Sequence, residues 1–356
     1  MYRIRFISKI LGESKSARLA VLITLLQVLL VITFQLVIFF MHLDQLKKMD
    51  GLGVPIDTYR NAQSLSVYHV LFMVAQIFQL MYCLDAVNQK NTIQIIALAF
   101  FDCCLSFYSA VQFYQAANLL NNLSHSLRLE LLASNNSGKW ALIVVIVIML
   151  TSSLMFMYLA YKMYLEFGWR IYKKIGADLA MRDMYKIYQI FIVLLKFDAF
   201  FFLAFSVQYL AVLLNSNSTD HGSSLFGQNL FYLIISFLST LVTMVMIGCY
   251  FLGVRRESTA LIIIANLSNL GQMAYFIYEL WDVNSRRGDF VGSQIFLTFF
   301  SAVCFVMAIL TLVVSMLAFR NFNRGLKSHL TQPPATDNSG HSMNSTTALG
   351  KRWSIE

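Results

Sequence analysis

Eight long apolar runs dominate this sequence and restrict its fold more than any other feature. A helix needs about 20 mainly apolar residues to cross a hydrocarbon core roughly 30 Å thick. The runs cover residues 19–41, 65–84, 93–115, 140–161, 187–214, 229–253, 259–281 and 294–319. Stretches such as 142–150 are apolar on every side, whereas apolar and polar residues alternate along the strands of a membrane β-barrel. The sequence therefore predicts an all-α membrane bundle of about eight helices, spanning residues 19–319.

The composition excludes a water-soluble globule. Of the 356 residues, 58% are hydrophobic and 13% are charged, whereas soluble domains contain roughly 45 to 50% apolar and about 25% charged residues. The formal net charge of +9 is therefore interpreted as a signal of orientation in the membrane. We expect membrane lipids as partners and no nucleic acid.

The distribution of cations predicts which side of the membrane each segment occupies. With the N-terminus in the cytosol, 19 of the 27 Lys and Arg residues lie on the cytosolic side, as the positive-inside rule requires. Both termini are then cytosolic: a basic segment at 1–18 and a tail at 320–356. The tail is rich in Ser, Thr and Asn and poor in apolar residues, a composition typical of disorder. It is a candidate contact for trafficking proteins.

Three sequons for N-glycosylation agree with this orientation. They begin at Asn122, Asn135 and Asn217, and the cation count places all three in loops on the side opposite the termini. Attached glycans require such an exposed, non-cytosolic position.

Three charged residues stand out inside predicted spans, where each costs about 2.5 to 3.5 kcal/mol. They are Asp102, Lys196 and Asp198. Asp102 and Lys196 each lie nine residues after the predicted start of their spans, which places both about 13 to 14 Å deep. We favour a structural ion pair between them, or a Lys196 side chain that extends toward the cytosolic headgroups. The alternative is a proton or ion relay that also uses Asp198.

The seventh run is the least apolar of the eight. Asn266, Asn269 and Gln272 recur there at three-residue spacing, so they should face the bundle interior or a wet cavity. Hydrogen bonding between helices is the simpler interpretation, and a substrate path is the alternative. The same two interpretations apply to Gln76, Gln79 and Gln208 in other spans.

The predicted cytosolic loop at 162–186 combines aromatic and basic residues. Its candidate lipid contacts are Trp169, Arg170, Tyr172, Lys173 and Lys174. This pattern predicts an interfacial helix on the anionic cytosolic leaflet. The helix would orient the protein or, alternatively, bind a specific lipid or protein.

Residues 164–202 also carry a resemblance. The stretches GWRIYKKIGAD (168–178) and LLKFDAFFF (194–202) are similar to the central signature of an uncharacterised fungal family of multi-pass Golgi apparatus membrane proteins. The resemblance implies a multi-pass fold in the Golgi membrane. It implies no activity and no catalytic or ligand-binding residue.

The sequence contains no HExxH, GxSxG, glycine-rich phosphate loop or His/Cys cluster of zinc spacing, so we expect no enzymatic activity, cofactor or metal. Two functions remain. The favoured one is a trafficking or membrane-organising factor that acts through 164–186 and the tail. The alternative is a secondary transporter or ion carrier that uses Asp102, Lys196 and Asp198. The first is favoured because intramembrane charges are few and all three prolines lie outside the spans.

Overall fold

A computed structural model of the chain describes residues 14–51, 54–89, 91–121, 125–175, 179–217, 223–285 and 294–322. They form α1 (Lys15–Gly51), α2 (Ile56–Gln89), α3 (Thr92–Asn121), α4 (His125–Ile175), α5 (Leu179–Asn217), α6 (Ser223–Arg256), α7 (Thr259–Ser285) and α8 (Gln294–Arg320). These described residues include no strand. Each of the eight helices is long and apolar enough to cross a membrane. The predicted all-α bundle of about eight spans is confirmed.

Two of the helices begin at polar side chains that cap free backbone N–H groups. Ser14 Oγ accepts a hydrogen bond from the Ala17 amide at 3.1 Å. Asn91 Oδ1 accepts from the amides of Ile93 and Gln94 at 3.0 and 3.3 Å. The first amides of a helix have no partner within the helix, so these caps decide where α1 and α3 start.

The helices pack as two rings of four. In the first ring α1 contacts α2 and α4, and α3 contacts α2 and α4; in the second, α5 and α7 each contact α6 and α8. Two clusters of buried apolar residues fill the bundle, one mainly in each ring, and each also includes side chains from the other ring. Contacts of α5 with α2 and α3 join the rings. Within each ring, neighbours in sequence are thus neighbours in space, as short connections favour.

Aromatic side chains fill the joint between the two rings, which we call the aromatic seam (Phe78, Phe101, Phe197, Phe200 and Phe201). The Phe78 and Phe200 rings stack with centroids 4.5 Å apart. Phe101 meets Phe200 edge-on at 5.5 Å and lies 5.6 Å from Phe197. The α5 residues of the seam belong to the stretch 194–202 that carries the family resemblance. This stretch therefore holds the two halves of the protein together.

The segment 162–186 does not form a separate interfacial helix, so that prediction is wrong. Helix α4 has 51 residues, about 77 Å at 1.5 Å per residue, and it continues without interruption as far as Ile175. Helix α5 begins at Leu179. No proline breaks the chain between 140 and 175, so each further turn extends an existing hydrogen-bonded helix, which costs less than starting a new one. The backbone of Trp169, Arg170, Tyr172, Lys173 and Lys174 belongs to α4, and their side chains lie outside the described part.

The expected loop position is wrong for one of the three sequons. Asn135 lies within α4, which begins at His125, because no proline interrupts that segment either. Asn217 is the last residue of α5, and Asn122 lies outside the described residues. Residues 1–13 and 323–356 also lie outside them, so the basic N-terminal segment (1–18) and the disordered tail (320–356) stay predictions.

A tight turn joins α6 to α7, and Gly253 near the end of α6 packs against the start of α7. Glu257 adopts a positive φ of 53°, and the Ser258 amide donates to the Gly253 carbonyl oxygen at 2.9 Å. A Cβ atom on Gly253 would lie 2.9 Å from Ile262 Cδ1 and 3.2 Å from Leu261 Cβ. A side chain at position 253 would therefore require Ile262 and Leu261 to shift.

Replacing Gly253 by Ala should therefore destabilise the protein by about 1 to 2 kcal/mol, because the added methyl group overpacks the turn. The measurement is the thermal unfolding of the purified protein in detergent. Gly248→Ala is the matched control on the same helix, because a Cβ there meets nothing within 4 Å. A loss of stability in the control equal to that in Gly253→Ala would refute the steric explanation.

Candidate functional site

Lys196 of α5 connects the two rings near the predicted cytosolic end, the end at which α1 begins. Its Nζ forms a salt bridge with Asp85 Oδ2 of α2 and donates to Gln94 Oε1 of α3 at 3.1 Å. Gln94 Nε2 in turn donates to Asp85 Oδ2 at 2.8 Å. The three residues form a closed polar cluster, which we call the Lys196 clamp.

The predicted ion pair between Asp102 and Lys196 is therefore wrong. The predicted second span ended just before Asp85, so the carboxylate that Lys196 contacts was assigned to a loop. Asp85 lies near the end of α2, and the long lysine stem lets Nζ reach that position. The alternative, a lysine stem that extends toward the cytosolic headgroups, stays a prediction.

Asp198 points away from the clamp, as its separation of two residues from Lys196 requires on a helix. It is completely buried in the second ring. Thr311 Oγ1 of α8 donates to Asp198 Oδ2 at 2.5 Å, while Asp198 Oδ1 has no hydrogen-bond partner among the described residues. The structure thus places Asp102, Lys196 and Asp198 in three separate environments, without a hydrogen bond between them among the described residues.

Asp102 lies in the first ring, fully buried and surrounded by glutamine side chains. Gln27 Nε2 of α1 and Gln79 Nε2 of α2 both donate to Asp102 Oδ1, each at 2.7 Å. Gln76 Oε1, also on α2, lies 3.4 Å from Gln27 Nε2. We call these four residues the Asp102 cluster. It joins α1, α2 and α3 by polar contacts deep in the bundle.

A second buried polar group lies farther from the predicted cytosolic end in the same ring. Gln35 Nε2 donates to Gln112 Oε1 at 3.0 Å, and Gln35 Oε1 lies 3.0 Å from His69 Nδ1. Gln112 Nε2 donates to the Tyr68 carbonyl oxygen at 3.3 Å. His69 is thus a hydrogen-bonded core histidine. Its ring lies 5.8 Å from that of His42.

Sequence reasoning missed the α1 residues of both groups, although a signal was present. Thr24, Gln27, Gln35 and His42 are separated by 3, 8 and 7 residues, and all four are buried. Such multiples of roughly one or two helical turns place them on one face. Because lipid offers no hydrogen-bond partner, a polar face within an apolar run indicates contacts with other helices.

The predicted polar face of the seventh span does turn toward the bundle interior. Asn269 Nδ2 donates to the Ala308 carbonyl oxygen at 3.0 Å. Gln272 Oε1 accepts from Thr243 Oγ1 at 3.1 Å. Asn266 Oδ1 accepts hydrogen bonds from the hydroxyls of Tyr250 and Ser315, at 2.9 and 2.8 Å. These bonds link α7 to α6 and α8, in agreement with the simpler interpretation.

The same face continues to acidic residues that the sequence analysis did not single out. Glu279 and Asp282 are 2% and 3% exposed, and they follow Gln272 and Phe276 at helical spacing. The sequence pattern that could have revealed these two acidic residues is their helical spacing from the polar residues of the same face. Both have an interaction partner in the structure.

Two small cavities lie among the described residues. Each has a volume of about 10 Å³, close to the volume that one water molecule needs. One is lined by apolar groups and Cys83 between α1, α2, α3 and α4. The other lies near Tyr188, Glu257 and Phe322. Lys196 lines neither of them. The described part also contains no group of three or more His, Cys, Asp or Glu side chains that could hold a metal ion.

Comparison with known proteins confirms the resemblance. The chain is 28% identical over 288 residues to a UPF0658 Golgi apparatus membrane protein of Schizosaccharomyces pombe, covering 75% of this chain and 78% of that protein. No family model matches the chain, and no solved structure matches it. This relative and the eight spans agree with the predicted location, a multi-pass protein of the Golgi apparatus membrane.

Proposed function

We propose that the protein is a non-enzymatic trafficking or membrane-organising factor, which acts through lipid and protein contacts at its predicted cytosolic end. The observation that carries the proposal is the length of α4. At about 77 Å this helix is more than twice as long as the hydrocarbon core is thick, roughly 30 Å. It continues from the predicted span end at 161 as far as Ile175. The helix therefore presents the residues of 162–175 beyond the predicted hydrocarbon region.

The chemistry of this extension suits a membrane surface. Tyr161 and Tyr164 are 64% and 52% exposed, as expected of aromatic side chains at headgroup level. Lys162 Nζ lies over the Tyr158 ring, 4.7 Å from its centroid. Beyond them the sequence carries Arg170 and two adjacent lysines. Basic residues near an anionic leaflet contribute about 1 kcal/mol each to binding.

The packing of the intramembrane charges supports a role without transport. In the Lys196 clamp, the lysine ammonium group bonds to a carboxylate and an amide of the protein itself. This bonding within the protein favours a scaffold over a substrate pathway.

A secondary transporter or ion carrier is the second candidate. One observation favours it: Asp102 Oδ2 and Asp198 Oδ1 are buried carboxylate oxygens without a hydrogen-bond partner among the described residues. Buried acids of this kind occur in proton and ion pathways. This function predicts an ion flux across proteoliposomes that is lost in Asp102→Asn and in Asp198→Asn.

The test of the proposed function uses the full-length protein in phosphatidylcholine nanodiscs and vesicles that contain phosphatidylserine. The variant Arg170→Gln/Lys173→Gln/Lys174→Gln should bind the vesicles about a hundredfold more weakly than the wild type, since it loses three contributions of about 1 kcal/mol each. Its thermal stability should stay unchanged.

The matched control, Lys47→Gln/Lys48→Gln/Lys139→Gln, removes the same charge at the opposite end of the bundle. It should bind the vesicles as the wild type does. Equal binding by the wild type and the Arg170 variant would refute the proposed lipid contact. An Asp102-dependent ion flux in protein that binds no vesicles would favour the transporter.

A further inference from the structure

The Asp102 cluster has an uneven distribution of hydrogen-bond donors. Asp102 Oδ1 accepts from two amides, Gln27 Nε2 and Gln79 Nε2, both at 2.7 Å. Asp102 Oδ2 has no hydrogen-bond partner among the described residues, although the side chain is completely buried. A buried carboxylate with one oxygen unsatisfied is unfavourable, because burial removes that oxygen from bulk water and no protein donor among the described residues replaces it.

Acceptors also crowd around a single nitrogen of the cluster. Besides Asp102 Oδ1, Gln27 Nε2 has three acceptors at 3.4 Å: Gln76 Oε1, Gln79 Oε1 and the sulfur of Met149. An amide nitrogen carries two hydrogens, so four acceptors compete for two. The cluster therefore has an excess of electronegative atoms around one point.

We propose that the Asp102 cluster binds a monovalent cation of the size of Na⁺. Amide nitrogen and oxygen have nearly the same shape, so rotating the Gln27 amide by half a turn presents its oxygen to the centre. The oxygens of Asp102, Gln76 and Gln79 then lie within 3.4 Å of the Gln27 oxygen, and the 3.5 Å hydrogen bond from Gln79 Nε2 to Gln27 Oε1 is given up. Carboxylate and amide oxygens are the ligands that hard cations prefer.

The charge of the cluster selects a monovalent ion. Asp102 is the one acidic residue in these hydrogen bonds, so one positive charge neutralises the site. A divalent ion would leave a net positive charge buried in the bundle, which is costly. The described residues also provide no cluster of three or more His, Cys, Asp or Glu side chains.

A proton on Asp102 would satisfy the cluster less well than a cation. On Oδ2, the oxygen that receives no hydrogen bond, the proton would leave the excess of acceptors around Gln27 Nε2 in place. On Oδ1 it would displace one of the two amide donors. A cation instead bonds to the excess oxygens directly. Bound there, it would tie α1, α2 and α3 together, and this role does not depend on the proposed function.

The test measures the thermal unfolding of full-length protein in detergent, in NaCl, KCl and choline chloride at equal ionic strength. Na⁺ should raise the melting temperature by about 3 °C or more over choline, because a ligand that binds only the folded state stabilises it, and K⁺ should raise it less. Asp102→Asn should abolish the difference between the salts. Asp198→Asn is the control and should keep it, because Asp198 lies in the second ring.

A second variant tests the proposal even if Asp102→Asn fails to fold. Gln76→Met removes one ligand oxygen while nearly conserving shape, and it should weaken binding of radioactive Na⁺ to the protein about tenfold. The wild type should bind one Na⁺ per chain. Equal melting temperatures of the wild type in all three salts would overturn the proposal, and so would Na⁺ binding that Gln76→Met and Asp102→Asn leave unchanged.

Discussion

Replacing Phe101 by Ala should destabilise the protein by about 3 kcal/mol, close to the lower end of the range for truncating a buried aromatic residue. Phe101 is 4% exposed, and its ring lies within 5.6 Å of the Phe78, Phe197 and Phe200 rings, measured between centroids. Truncation leaves a cavity in the aromatic seam. Between membrane helices such packing is a main source of association, because the lipid chains are as apolar as the side chains.

The measurement is thermal unfolding in detergent, where the loss should appear as a lower melting temperature. Because the seam joins the two rings, we also expect protease to cut Phe101→Ala between α4 and α5 at a temperature at which the wild type resists. Phe100→Ala is a matched control on the neighbouring position, since Phe100 is 72% exposed and points away from the seam. Equal losses in the two variants would contradict a specific role of the seam.

Replacing Lys196 by Met should destabilise the protein by about 2 kcal/mol, because it leaves the Asp85 carboxylate without its cation. Lys196→Met/Asp85→Leu should recover about 1 to 2 kcal/mol of that loss, since removing both members of a pair costs less than breaking it. Both side chains are partly exposed, which keeps these values below those of fully buried pairs. A double-mutant cycle of thermal unfolding measures the coupling.

The control cycle pairs Lys196→Met with Asp102→Leu. The effects of these two changes should add, because Asp102 bonds to Gln27 and Gln79 and Lys196 bonds to Asp85 and Gln94. Coupling in the control cycle together with additivity in the Asp85 cycle would reverse this assignment and restore the pair predicted from the sequence.

The spans and the inward polar face of α7 were predictable from the sequence because their causes are local or involve the solvent. An apolar run long enough to cross a bilayer must satisfy its backbone hydrogen bonds internally, so it forms a helix whatever its neighbours are. Asn269 and Gln272 likewise turn inward, because lipid cannot bond to them. Both conclusions follow from the amino-acid sequence and the lipid environment alone.

Helix ends were less predictable, since apolar runs end before helices do. Helix α4 continues through polar sequence in both directions, from His125 to Ile175. Hydropathy reports where lipid begins, whereas a helix ends where its hydrogen-bonded chain is broken. The predicted interfacial helix and the loop position of Asn135 were wrong for this reason.

Only the tertiary structure decided which polar groups meet. The depth of Asp102 and Lys196 along the membrane normal was consistent with an ion pair between them. A contact also requires that the two side chains point at each other. That depends on how each helix is rotated and on which helices are neighbours. Packing of the aromatic seam sets the rotation of α5, so that Lys196 reaches Asp85 and Asp198 reaches Thr311. The sequence by itself determined that these charges need partners, because isolated charges are costly in a bilayer, and the packing of the helices selected them.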